Sequence, residues 1–228
     1  GNIGLYPMCA ENRRNERRED ILDILVDDYK YKINSIKDFT DFESEDKFLE
    51  GTGSMVLDRE NKICYAAISI RTDEQAVLQW CDVFDYTPVC FTANQEVNGQ
   101  RMPIYHTNVM MCIADTFAVV CLESIDNKVE RDSVIETLIS TGKDIIEITQ
   151  VQKSKFAGNM LQVLGDKPYL VMSTSAFTSL TDTLFTAACA SSSDTNNITS
   201  RYDFNTGQKD NYYDYGKISS IWSSRRSQ

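Results

Sequence analysis

The sequence predicts an α/β fold in which units of strand, strand, helix and strand are repeated along the chain. Two segments show a pair of apolar runs separated by a polar turn, followed by an amphipathic helix and another strand. This order is typical of a mixed sheet covered by helices. A methionine stands at the head of each copy, at Met55, Met110 and Met160, with intervals of 55 and 50 residues. Intervals of this size indicate a repeated supersecondary unit.

The chain opens in the second half of such a unit. Ile3–Met8 has strand character, and a helix is predicted over Glu11–Asp28. The apolar face predicted for this helix consists of Ile21, Leu22, Leu25 and Tyr29. Because a strand begins almost at the first residue, we expect the chain to be a fragment that lacks a preceding unit.

The first complete copy is predicted from Phe48 to Phe91. The strand ending at Leu57 and the strand Ile63–Ile70 form a hairpin around a polar turn. Thr72, with Gln75 three residues later, predicts a capping box at the start of the next helix. The inward residues of that helix are predicted to be Val77, Leu78, Cys81 and Phe84, and its following strand Val89–Phe91.

Two further copies follow the same order. The second has strands His106–Ile113 and Phe117–Leu122, a helix over Asp132–Thr141 with Gly142 as its C-cap, and the strand Asp144–Thr149. The third has the strands Phe156–Leu161 and Tyr169–Met172 and a helix beginning near Ser175.

The composition changes near the end of the chain. From Cys189 onward the sequence has no leucine, valine or methionine, so this segment offers little apolar surface for a core. We therefore expect residues 1–186 to form a partial domain and residues 187–228 to be a polar, disordered or non-native tail.

Charge and composition exclude several classes of function. The net charge of −11 argues against nucleic acid or an anionic membrane as the partner, and no apolar stretch is long enough to span a bilayer. Seven cysteines without CxxC spacing indicate free thiols and a cytoplasmic protein. A single histidine and the lack of cysteine pairs argue against a zinc site. No cofactor is expected.

A few polar residues are candidates for a site. His106 is the only histidine in 228 residues, so proton transfer near neutral pH by an unperturbed side chain would depend on it. Glu50 precedes Gly51 and Gly53, which allow a close approach of the backbone to a ligand. Arg13 lies early in the first predicted helix, where the helix dipole favours an anionic neighbour.

Five motifs, in order, resemble the pentein (amidinotransferase-like) superfamily, and within it the arginine deiminase-related branch that includes citrulline hydrolases. The motifs span roughly residues 1 to 183, and each alone would be a weak signal. They are Tyr6-Pro7-Met8 with Glu11-Asn12-Arg13-Arg14, Leu49-Glu50-Gly51-Thr52-Gly53-Ser54, Ser69-Ile70-Arg71-Thr72-Asp73, Tyr105-His106-Thr107-Asn108-Val109-Met110-Met111 and Ala157-Gly158-Asn159-Met160-Leu161.

The resemblance implies a five-bladed αβ propeller, of which this chain would hold about three and a half blades. It also implies a hydrolase of linear C–N bonds in guanidino or ureido amino acids that acts through a cysteine thiolate. Glu50 would hold the nitrogen atoms of the planar group, and His106 would be the acid for the leaving amine and then the base for water. Arg13 and Arg71 match arginines that bind the carboxylate of the substrate.

The sequence departs from the family pattern at two places. Asn108 stands where classical arginine deiminases have an aspartate, which favours a neutral ureido group such as that of citrulline. The Gly-rich motif with the nucleophilic cysteine is missing, and the surroundings of Cys189 do not match it, so we expect this chain to be inactive.

Two other interpretations remain open at this stage. The chain could be a non-catalytic binding module, as the ribosome anti-association initiation factor is with a similar propeller. Alternatively, the motif residues could be structural, with Glu50 capping a turn, Arg71 pairing with Asp73 and His106 buried. The sequence leaves the oligomeric state undetermined.

Overall fold

The computed structural model describes residues 1–166 and 168–180 and the backbone of residues 199–202 and 209–212. The described chain falls into two compact units. The first consists of Gly1–Ala93 and Pro103–Thr107, and the second of Asn94–Met102 and the described residues from Asn108 onward.

The first unit begins with strand β1 (Asn2–Leu5), helix α1 (Glu19–Asp27) and strand β2 (Ser35–Asp38), and β1 and β2 pair in parallel. The helix predicted from Glu11 is split, because Glu11–Glu16 forms a 3-10 turn. No residue of α1 is buried: Leu22 and Leu25 are partly exposed and Ile21 is 42% exposed, while Tyr29, which follows the helix, is 70% exposed. Periodicity marks an apolar face but not whether a partner covers it.

A full ββαβ unit follows. Strands β3 (Val56–Asp58) and β4 (Ile63–Ala67) form the predicted antiparallel hairpin, helix α2 (Glu74–Phe84) crosses over, and β5 (Thr87–Phe91) pairs in parallel with β4. Every residue of β4 is buried. One hydrophobic core cluster joins buried residues of β4 and α2 to residues that precede β3; its members are Phe39, Phe42, Leu49, Met55, Cys64, Ala66, Ala76, Val77, Trp80 and Cys81.

The start and inner face of α2 differ in part from the prediction. The N-cap is Asp73 rather than Thr72, since the Asp73 carboxylate accepts a hydrogen bond from the Ala76 amide at 3.0 Å. Val77 and Cys81 are buried as predicted, but Leu78 is 47% exposed. Aspartate is a better N-cap than threonine, which agrees with the helix beginning one residue later than predicted.

The second unit contains a second ββαβ copy. Strands β6 (Asn94–Val97) and β7 (Gln100–Pro103) form a two-stranded sheet before it. In the copy itself, β8 (Met111–Ile113) and β9 (Phe117–Val120) pair antiparallel, and β9 pairs in parallel with the strand after the helix. The remaining elements of this copy are α3 (Lys128–Ser140) and β10 (Asp144–Glu147). The C-cap of α3 is Thr141 rather than the predicted Gly142, which follows it with a φ of +75°, the left-handed conformation common just after a helix.

A partial third copy has the same order. Helix α4 (Gln150–Ser154) precedes it, strands β11 (Leu161–Leu164) and β12 (Pro168–Val171) pair antiparallel, and residues 174–180 are helical. The predicted strand over Phe156–Leu161 therefore begins later, at Leu161. In each of the three copies a buried methionine is the residue just before the first strand: Met55, Met110 and Met160. The predicted repeat is confirmed in its first two copies.

The predicted tail from residue 187 lies outside the described residues, apart from the backbone of two strands. These are β13 (Thr199–Tyr202) and β14 (Lys209–Tyr212), which pair antiparallel. Whether this tail is disordered or non-native stays a prediction.

Candidate active site

Glu50 lies in a loop whose backbone is closed by a serine. The Glu50 amide donates to Ser54 Oγ at 2.8 Å, and Gly51 adopts a φ of +57°, which glycine tolerates without strain. The carboxyl group of Glu50 is 1% exposed. One oxygen, Oε1, accepts a hydrogen bond from the Cys9 amide at 3.1 Å. A buried carboxylate needs such partners to offset its lost hydration.

His106 contacts the other carboxylate oxygen of Glu50. The distance from His106 Nε2 to Glu50 Oε2 is 2.7 Å, and the imidazole is 13% exposed. The ring lies against Gly53, where an added Cβ would come within 2.9 Å of its Cε1 and Nδ1. The prediction that a strand begins at His106 is wrong, because Thr107–Val109 forms a 3-10 turn and β8 starts at Met111.

Two arginines from separate segments approach the same oxygen. Arg13 Nη1 donates to Glu50 Oε2 at 3.3 Å, and Arg13 also binds Glu16 in the 3-10 turn. Arg71 Nη1 lies 3.7 Å from Glu50 Oε2, and its guanidinium stands 5.4 Å from the centre of the Tyr105 ring. The predicted residues Glu50, Arg13, Arg71 and His106 are thus brought together in the first unit.

Electrostatics favour the neutral form of the imidazole. Burial lowers the pKa of His106, and the positive charges of Arg71 and Arg13 act in the same direction, while the Glu50 carboxylate opposes them. Because the pKa of His106 falls below its usual value near 6.5, the ring is neutral at pH 7. A neutral imidazole beside a carboxylate donates its Nε2 proton to Glu50 and keeps Nδ1 as an acceptor.

The other arginines of the first segment have a structural role. Arg14 and Arg17 both pair with Glu43, and Glu43 also accepts from the Met8 amide at 2.8 Å. Arg17 binds the Tyr6 carbonyl at 3.0 Å as well. These contacts fix the segment that carries Cys9 and Arg13, and they explain why only part of the arginine-rich stretch faces Glu50.

Not every site residue could be foreseen or placed. Asn108 belongs to the second unit, so its predicted effect on the substrate stays a prediction. The sequence did not reveal the contacts of Cys9, Ser54 and Tyr105, although Ser54 and Tyr105 lie inside motifs that resemble those of the pentein superfamily. A backbone amide such as that of Cys9 carries no side-chain signal that a sequence pattern could reveal.

The described residues contain no group of three or more histidine, cysteine or acidic side chains arranged to hold a metal ion. Within the same residues, no helix is long and apolar enough to cross a membrane. The six described cysteines are free thiols. Cys189 lies outside the described residues.

A family model matches most of the chain. The model of the eukaryotic N,N-dimethylarginine dimethylhydrolases matches residues 1–193. The chain belongs to this family. Membership of the pentein superfamily, in its arginine-related part, is thereby shown as well. None of the curated proteins compared with the chain matches it.

Solved pentein structures share the mixed α/β fold of this dimethylarginine dimethylhydrolase family member. The N-terminal domain of ArgZ, an arginine dihydrolase from Cyanobacteria, bound to its substrate, has a TM-score of 0.52 and 17% identity over 80% of this chain and 61% of that domain. The same domain bound covalently to a reaction intermediate gives the same values. AgrE in complex with ornithine and NAD+ has a TM-score of 0.53 and 16% identity over 80% of this chain and 24% of that chain.

The chain spans about three fifths of the ArgZ domain that it matches. At these identities the likeness shows the fold alone. The family assignment therefore depends on the family model, and the roles of individual residues depend on the geometry described above.

Proposed function

We propose that this chain binds an arginine-type amino acid at Glu50 and that His106 is the acid–base group of a linear C–N hydrolase. Three side chains converge on a single buried oxygen, Glu50 Oε2, and this convergence supports the proposal. His106 Nε2 lies 2.7 Å from it, Arg13 Nη1 3.3 Å and Arg71 Nη1 3.7 Å. A purely structural carboxylate does not require the only histidine of the chain together with two partly exposed arginines.

The charges favour a ligand that carries both an N–H-rich planar group and a carboxylate. Two guanidinium groups face one carboxylate, so the ligand's own carboxylate would be attracted to Arg13 and Arg71. Both side chains are about one-third exposed, at 37% and 34%, and can move to meet it. Glu50 Oε2 would then accept hydrogen bonds from the guanidino or ureido nitrogens of the ligand.

His106 is suited to proton transfer beside such a ligand. Its lowered pKa leaves the ring neutral at pH 7, and a neutral imidazole takes a proton from an attacking group. The same proton can then pass to the departing amine, after which the neutral ring can activate water. Glu50 holds the imidazole by its Nε2–H while the planar group of the ligand binds alongside.

Covalent catalysis also requires a thiolate. Burial raises the pKa of the Cys90, Cys112 and Cys121 thiols, and a hydrogen bond with Cys81, together with burial, raises that of Cys64, which disfavours the reactive form. The same hydrogen bond lowers the pKa of Cys81, but Cys81 is 2% exposed and lies in the hydrophobic core of the first unit. The Gly-rich cysteine motif of the family is missing from the sequence. We therefore propose that the chain binds its ligand without turning it over and that only a form with the nucleophile is a hydrolase.

The two complete ββαβ copies support interpreting these units as propeller blades. In this proposal the chain contains about three and a half of five blades. The free thiols of the described cysteines support our further proposal of a cytoplasmic location. The substitution of Asn108 for aspartate supports a preference for citrulline over arginine.

Calorimetric titration tests ligand binding directly. L-Arginine, N,N-dimethylarginine and L-citrulline should bind the wild-type chain and should bind Glu50→Gln at least about tenfold more weakly, since one charge-assisted hydrogen bond is lost. Agmatine lacks the carboxylate and should also bind at least about tenfold more weakly than arginine. The matched control is Glu16→Gln, an exposed glutamate that also binds Arg13. Equal affinity of arginine for wild type and Glu50→Gln would refute the site.

Product analysis tests the expected lack of turnover. The wild-type chain should release neither ammonia from arginine or citrulline nor dimethylamine from dimethylarginine above the buffer background. Amine release that disappears in Cys189→Ala would contradict the proposed inactivity and would make Cys189 the nucleophile.

A further inference from the structure

A buried hydroxyl group directly follows the histidine in the sequence. Thr107 is fully buried, and its Oγ1 accepts a hydrogen bond from the Ala67 amide at 2.8 Å and donates one to the Ser54 carbonyl. Ala67 is the last residue of strand β4, and Ser54 ends the loop that carries Glu50. One hydroxyl therefore ties the His106 segment both to the sheet and to the Glu50 loop.

The Glu50 loop is held by a second buried hydroxyl. Ser54 is fully buried, and its Oγ accepts from the Glu50 amide at 2.8 Å and donates to the Arg71 carbonyl at 2.7 Å. Contacts through Ser54 and Thr107 thus join the backbones that carry Glu50, Arg71 and His106. Both hydroxyls have a donor and an acceptor partner, as buried polar groups require.

The imidazole has little freedom to adjust if this connection is changed. Its ring lies so close to Gly53 that an added Cβ would come within 2.9 Å of it. Its Nε2 lies 2.7 Å from Glu50 Oε2. A displacement of the backbone at Thr107 would therefore alter the distance between the ring and the carboxylate.

We infer that Thr107 is a positioning residue, whose hydroxyl holds His106 Nε2 in hydrogen-bonding distance of Glu50. The catalytic role of the His106–Glu50 pair rests on the proposed function, whereas the effect of Thr107 on the position of His106 does not. Thr107 acts through the backbone of its neighbour, so it is a positioning residue and not a catalytic one.

The single histidine makes the inference measurable in the protein without ligand. In a chain labelled with ¹⁵N-histidine, all imidazole signals belong to His106. The wild type should show a neutral ring with its proton on Nε2, in slow exchange with water. Thr107→Val keeps the shape of the side chain but removes its hydroxyl, and should accelerate exchange of this proton by about tenfold or more, as for the loss of a hydrogen bond.

Two matched variants separate positioning from a general loss of stability. Thr107→Ser keeps the hydroxyl and should retain the slow exchange of the wild type. Val77→Ala weakens the buried core of α2 in the same unit without touching the hydroxyl contacts, and should also retain it. If Thr107→Val and Val77→Ala change the exchange rate equally, Thr107 is only structural and the inference is overturned.

A third variant covers the case in which Thr107→Val does not fold. Thr107→Cys keeps a similar size and offers only weak hydrogen bonds, so its Nε2 proton should exchange faster than that of Thr107→Ser. Equal rates in the cysteine and serine variants would overturn the inference. Because no ligand is present, these results do not depend on whether the proposed substrate binds. A failure of arginine binding would refute the proposed function and leave the positioning result in place.

Discussion

Replacing Glu50 by glutamine should lower the free energy of unfolding by about 1.5–4 kcal/mol. The hydrogen bond between the His106 ring and the 1% exposed carboxylate contributes about 1.5–3 kcal/mol. Arg13 is 37% exposed, so its pair with Glu50 adds at most about 1 kcal/mol. Arg71, at 3.7 Å, adds little. Glutamine retains an acceptor for the Cys9 amide, so that contact is not counted.

Urea denaturation at pH 7, followed by tryptophan fluorescence, measures this loss. Trp80 is buried in the first unit, 4% exposed, and the only other tryptophan is Trp222. In a Trp222→Phe background the fluorescence therefore reports on the unit that contains Glu50. Glu16→Gln makes the same chemical change at an exposed partner of Arg13 and should cause no measurable loss. If the two variants lower stability equally, the buried charge cluster does not stabilise this unit as we describe.

Three further predictions concern the pH response, a helix cap and the thiols. Because burial lowers the pKa of His106 in the folded state, the unfolded chain binds a proton at this imidazole more tightly than the folded chain does. The contribution of the neutral His106 ring to stability is therefore fully present above pH 6.5 and is lost as the pH falls through the folded-state pKa. Unfolding free energies between pH 5 and 7.5 should therefore fall less steeply in His106→Gln, and identical slopes would disprove the shift. In urea denaturation, Asp73→Ala should lower the free energy of unfolding by about 1 kcal/mol, because the helix loses its N-cap. Thr72→Val should not lower it, because the hydroxyl of Thr72 has no hydrogen-bond partner to lose. The reverse order of the two effects would make Thr72 the cap. After treatment with iodoacetamide at pH 8, mass spectrometry should find Cys90 and Cys112 almost unmodified in the native chain, because burial raises the pKa of each thiol to about 12 and leaves about one thiolate in ten thousand. Cys9 is only partly buried and should react first among the described cysteines. Rapid labelling of Cys112 would contradict its burial.

Much of the fold could be predicted because its signals are local. The hairpin and crossover of the first complete unit follow from apolar alternation, a polar turn and an amphipathic helix. The equivalent methionines fix the phase of the repeat. The β6–β7 sheet was missed although Asn98-Gly99 is a typical hairpin turn, with φ values of +53° and +76°. Its strands are polar and mostly exposed, so they lack the apolar alternation that reveals a buried strand.

The candidate site was predicted through motifs rather than through physical patterns. Nothing in the composition places Glu50 beside His106, 56 residues away in the chain. The resemblance supplied that pair, together with Arg13 and Arg71. It could not show that both arginines would contact Glu50 itself, since this depends on the 3-10 turn at Glu11–Glu16 and on the backbone held by Ser54. The exposed face of α1 shows the same limit, because covering an apolar face requires a partner that the helix sequence does not specify.

An arginine-type ligand should bind at Glu50 beside His106. The most direct test is a titration of the ¹⁵N-histidine-labelled chain with L-arginine, followed through the imidazole signals of His106. We predict a saturable shift of these signals in the wild type, a much weaker response to agmatine, and no response of Glu50→Gln at the same concentrations. If calorimetry shows arginine bound while the His106 signals stay unchanged, the ligand binds elsewhere and the account of this site is wrong.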